Sequence, residues 1–131
     1  MKGSYILVIY LPEINELNIG SLGNIIFKEG FYLYVGSAMG NYGSSTLENR
    51  VKRHISKSKF KKTHWHIDYL LNYEESIITR IYLIPSFSPL ECIIAKEIMV
   101  LSDSKIENFG SSDCSCSSHL FYFQDFKEFR Y

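Results

Sequence analysis

Arg50 and His54 stand four residues apart, and Arg53 and Lys57 extend the same basic flank. On a helix, side chains at that spacing are neighbours, so these residues form a small cationic strip. It widens downstream: between Arg50 and Ile67 lie seven Lys or Arg (Arg50, Lys52, Arg53, Lys57, Lys59, Lys61 and Lys62) and no acidic residue. The rest of the chain holds the other seven basic residues and all 14 acidic ones, so a net charge of zero hides a local field able to collect phosphates. A solvated helix end and loop would have the same composition.

A second cluster is soft. Cys114-x-Cys116-x-x-His119, with His64, His66 and Asp113 available, could chelate Zn²⁺, although the cysteines stand closer than in a standard finger. The plainer reading is a Ser/Asp-rich turn that satisfies its own backbone. Trp65 and His66 could stack on bases or belong to the core.

Two carboxylates stand out near one predicted helix. Glu91 follows Ser88-Pro89-Leu90, the pattern of a capping box with Ser88 as the cap. Glu97 falls within the apolar arc of Leu90, Ile93, Ile94, Ile98, Val100 and Leu101, where a carboxylate needs a partner such as a metal, an arginine or a tyrosine. One carboxylate completed by water suits Mg²⁺ or Mn²⁺.

The elements that must position these groups follow from periodicity. Residues 3–11, GSYILVIYL, read as a buried strand ended by Pro12. Residues 13–30 carry two apolar groups among glycines and read as an extra hairpin or short strand pair, which the family resemblance given below makes an insertion between Tyr5 and Tyr34. Phe31–Val35 alternate as a second strand, and Gly36, Gly40 and Gly43 loosen the link to a helix. Ser44, Ser45 or Thr46 can cap that helix, and Leu47, Val51 and Ile55 form its buried stripe. A short helix over His64–Leu71, capped by Thr63 or a neighbour, precedes a third strand over 77–84, then the Glu91 helix and a tail whose Leu120–Phe123 can pack as a last strand or a docked segment. The fold class is α+β: a three-stranded, mainly antiparallel sheet flanked by helices. The whole chain reads as one domain, with a core over 1–101 that includes the insertion and a C-terminal segment over 102–131. No apolar run reaches the ~20 residues of a membrane span, no signal-peptide pattern opens the chain, and three cysteines form no disulfide framework. These features predict a cytoplasmic protein.

Gly3-Ser4-Tyr5, then Tyr34-Val35-Gly36, then Arg50 and His54 resemble the pattern of the GIY-YIG nucleases. The segments YLYVGSA, RHI, WHIDYLL and GSSDCSCSSHLF are more closely similar to a subfamily of small, mostly archaeal proteins, and that resemblance covers nearly the whole chain. It implies a metal-dependent endonuclease acting on DNA, or on RNA. By resemblance, Tyr5 or Tyr34 is the general base, Arg50 contacts the phosphate, His54 matches a frequent histidine, and Glu91 (or Glu97) binds one divalent ion. His66, Asp113, Cys114, Cys116 and His119 are further subfamily positions. A free phenol has a pKa near ~10, so a tyrosine base needs help from a cation. Many members carry a lysine just after the second glycine, where this chain has Ser37-Ala38. That departure favours the alternative, a noncatalytic nucleic-acid-binding module. A third reading is a metal-stabilised interaction domain built on the cysteine tail.

Overall fold

The computed structural model describes residues 1–56, 63, 65–111 and 116–129. The candidate residues Lys57, Lys59, Lys61, Lys62, His64, Asp113 and Cys114 lie outside the described residues. Strand β1 (Gly3–Leu11) is buried on both faces, which is why its apolar run is continuous. The inserted residues form a hairpin, β2 (Asn15–Asn18) with β3 (Asn24–Phe27), as expected. Strand β4 (Gly30–Ala38) then pairs antiparallel with β1 from Leu11–Gly30 to Gly3–Ala38. The insertion therefore loops out of the ladder and leaves its register intact. It folds onto the sheet instead, with Ile19 and Phe27 fully buried.

Helix α1 (Leu47–Ile55) is capped by Thr46, whose hydroxyl accepts from Asn49 N–H. Leu47 and Val51 face the core as predicted, but Ile55 is exposed and His54 takes the third buried place. Helix α2 (His66–Leu71) starts later than predicted, and its first turn is held by Asp68 accepting from Trp65 N–H rather than by Thr63. Strand β5 (Ile77–Pro85) pairs with β1. Helix α3 (Glu91–Leu101) also starts later than predicted. Leu90, not Ser88, stands at its N-cap, with no side-chain bond, so the capping box does not form.

The predicted apolar arc of α3 is displaced too. Ala95 and Ile98 are buried, with Ile94 packed beside them, while Ile93, Val100 and Leu101 face outward. Phe121, Phe123, Phe126 and Phe129 cover the same sheet face, so α3 needs only a narrow strip of its own surface there.

The sheet has five strands rather than three. A two-residue β6 (Ser104–Lys105) and β7 (Leu120–Phe123) extend it in the order β5-β1-β4-β7-β6, every pairing antiparallel. One face carries Tyr5, Leu7, Ile9, Leu11, Tyr32 and Tyr34 under α1, α2 and the hairpin. The other carries Ile6, Val8, Leu33 and Val35 under α3 and the C-terminal aromatics. Among the described residues no helix is long and apolar enough to cross a membrane.

Candidate active site

Register brings the two tyrosines together. Tyr5 lies opposite Gly36 and Leu7 opposite Tyr34, so the phenols are diagonal neighbours on one face, with ring centroids 6.3 Å apart. Gly36 explains itself here, since a Cβ at that position would collide with the Tyr5 hydroxyl. The β4–β7 ladder ends at Tyr34–Leu120. Beyond that end a cavity of about 150 Å³ is lined by Tyr5, Tyr34, Ser37, Arg50, Trp65, Glu91 and His119 together with Gly36 and Gly110. Groups remote along the chain thus share one polar depression, and Glu91 reaches it from the helix on the opposite face.

His54 stands behind Tyr5. Its Nε2 is 2.7 Å from the Tyr5 hydroxyl, and both residues are buried. When the ring proton is on Nδ1, Nε2 accepts the phenolic proton. Burial pushes the Tyr5 phenol well above its ordinary range, with Arg50 pulling the other way and Glu91 and Asp68 adding to the rise. Tyr34 is pushed up by burial and then by Tyr5, Glu91 and Asp68. Both are therefore neutral phenols near neutral pH.

Arg50 donates from Nη1 to the Ser37 carbonyl at 3.3 Å and from Nε to the Ser44 carbonyl at 3.4 Å. Its guanidinium carbon lies 4.6 Å from the Trp65 ring centroid. Trp65 is thus a wall of the cavity. Arg53, predicted to join the phosphate-binding strip, is instead bonded through both terminal nitrogens to the fully buried Asp68, at 2.7 and 3.0 Å. Lys52 is exposed on the same helix. The two glutamates separate cleanly: Glu91 lines the cavity, whereas Glu97 is exposed and outside the buried arc.

His66 has a positioning role that its sequence context did not reveal. Its Nδ1 accepts from Gly110 N–H at 2.9 Å and its Nε2 faces Ser21 Oγ at 3.2 Å, so one neutral imidazole ties the cavity wall to the inserted hairpin. Burial lowers its pKa.

His119 is buried, with Nδ1 3.9 Å from Glu91 Oε2. Burial lowers its pKa, against Glu91 and a hydrogen bond to the Gly110 carbonyl. Cys92, Cys116 and His119 lie close together and could hold a metal ion. Sequence spacing pointed to Cys114 with Cys116; Cys92 was missed because its neighbours read as an ordinary amphipathic helix.

The fold and site define an α+β domain with a tyrosine–histidine pair, an arginine and a carboxylate around one polar cavity. The chain belongs to the family described as Domain of unknown function DUF123, which matches residues 4–130. Comparison with curated proteins and comparison with solved structures each give no match.

Proposed function

We propose that the protein is a metal-dependent nuclease of the GIY-YIG type that hydrolyses phosphodiester bonds in DNA. The observation that carries this reading is the common cavity of Tyr5, Tyr34, Arg50 and Glu91, with His54 in hydrogen-bond contact behind Tyr5. Arg50 binds a phosphoryl oxygen and counters the charge that grows there in the transition state. Tyr5 takes a proton from the attacking water as its own phenolic proton passes to His54 Nε2. A neutral phenol needs such a relay, because it cannot wait as a phenolate. The new P–O bond forms as the ester P–O bond breaks, and the leaving oxygen regains a proton from solvent or from His54. Tyr34 orients the phosphate.

Glu91 is a hard oxygen donor at the wall of a polar cavity, and that donor type fits Mg²⁺ or Mn²⁺ with water in the remaining positions. When bound there, such an ion supplies further positive charge to the phosphate.

The test is incubation with branched, flapped and linear DNA in Mg²⁺ or Mn²⁺. Cleavage is expected for the wild type and lost in Arg50→Ala and Glu91→Gln variants whose circular dichroism is unchanged. A second reading, a noncatalytic nucleic-acid-binding module, is favoured by the two buried neutral phenols and by Arg50 bonding to backbone carbonyls. Binding without cleavage under either metal, for DNA and RNA alike, would select it.

A further inference from the structure

Cys92 lies in the first turn of α3, and Cys116 and His119 lie in the segment that leads into β7. One donor atom from each stands within 4.8 Å of the other two. In a tetrahedral zinc site, Zn–S and Zn–N bonds place donor atoms about 3.6–3.8 Å apart. Closing this trio on an ion therefore needs a contraction of at most about 1 Å, within reach of side-chain rotation. Two thiolates and an imidazole are soft and borderline ligands, which select zinc over the hard cation suited to Glu91. The His119 ring is also hydrogen-bonded to the Gly110 carbonyl. That is the outer contact that fixes the tautomer of metal-binding histidines.

The location gives such an ion a task. The loop before β7 holds its own shape through Asn108 N–H to Ser117 O at 2.8 Å, His119 N–H to Phe109 O at 2.8 Å and Ser118 Oγ–H to Ile106 O at 2.6 Å. A metal shared with Cys92 would tie that loop to the start of α3, beside Glu91. His119 would then serve as both ligand and cavity wall.

We propose that Cys92, Cys116 and His119 hold a structural zinc ion that fastens α3 to the loop before β7 and so fixes Glu91 and His119 at the cavity. Three described ligands leave the fourth tetrahedral position to a further donor. Zinc binding does not depend on whether the cavity hydrolyses anything.

The full chain, purified under reductant without chelator, is expected to carry about one zinc ion by elemental analysis. In competition with a chromophoric chelator, Cys92→Ser and Cys116→Ser should each bind zinc at least about a hundredfold more weakly. A lost ligand should matter at least as much as a lost outer partner. Cobalt-substituted wild type should show thiolate-to-metal charge transfer, which serves as the readout if the variants fail to fold. Equal zinc affinity in wild type and a folded Cys92→Ser protein would overturn the proposal, as would a cobalt form without that absorption. Glu91→Gln should keep its zinc while losing cleavage. Zinc without cleavage therefore leaves this inference standing and sinks the hydrolytic one; cleavage without zinc does the reverse.

Discussion

Arg50 and Arg53 stand three residues apart on one helix, and both guanidiniums lie 4.6 Å from the ring of Trp65. Their surroundings nevertheless give them opposite work. Arg53 has a fully buried carboxylate for a partner, and its loss would leave Asp68 charged in a dry place. Arg50 donates to two backbone carbonyls at 3.3 and 3.4 Å and also bonds the Tyr5 side chain, with no carboxylate partner among the described residues; the long carbonyl contacts are weak ones that a phosphate can replace. The same residue type is thus a structural clamp at one position and, on the proposed function, the phosphate-binding donor a turn away. Local charge pairing, not residue type, separates the two roles.

The comparison can be broken first at Arg50. Removing a positioned transition-state donor typically lowers turnover by about 10²–10³, so Arg50→Ala should lose cleavage on that scale. Its urea midpoint should stay close to that of the wild type. A large loss of stability in this variant would mean that Arg50 is a second clamp. Arg53→Ala should do the converse, destabilising the fold by about 3 kcal/mol through the orphaned Asp68, measured by urea denaturation. An Arg53→Ala protein as stable as the wild type would remove the distinction.

A subtler probe is Gly36→Ala. The added methyl collides with the Tyr5 hydroxyl, and overpacking of this kind costs about 1–3 kcal/mol. Displaced from His54, Tyr5 should also lose function, so stability and cleavage should fall together. The smallest effect concerns His66. Its pKa is lower in the folded state than the ordinary value near ~6.5, so the unfolded chain takes up the proton first. Stability from this group is present above that ordinary value and declines as pH falls through it towards the folded pKa. His66→Gln should flatten that part of the pH–stability profile.

Much of the site was legible because its residues sit on strongly patterned elements. A continuous apolar run over 3–11 and alternation over 31–35 marked the strands that carry Tyr5 and Tyr34, and a Ser/Thr cap (Ser44, Ser45 or Thr46) with a four-residue apolar spacing marked the helix of Arg50 and His54. The inserted hairpin was legible from its glycines. Strand β6 was not, being two residues long with hydrogen bonds only from a neighbour distant in sequence; Leu120–Phe123 was legible as an apolar segment, but its pairing with β4 as β7 was not. The face of α3 was misjudged because the C-terminal phenylalanines already cover part of the sheet. The ion pair of Arg53 and the approach of Cys92 to Cys116 left no mark at all in local spacing.

By itself, the amino-acid order determined which segments alternate, which coil and where glycine must interrupt them, since these depend on neighbours a few bonds away. Only the tertiary structure decided which charges are neutralised, which glutamate faces the cavity and which cysteine joins His119. Those outcomes depend on distances between side chains from different elements, and such distances are set by sheet register and helix rotation.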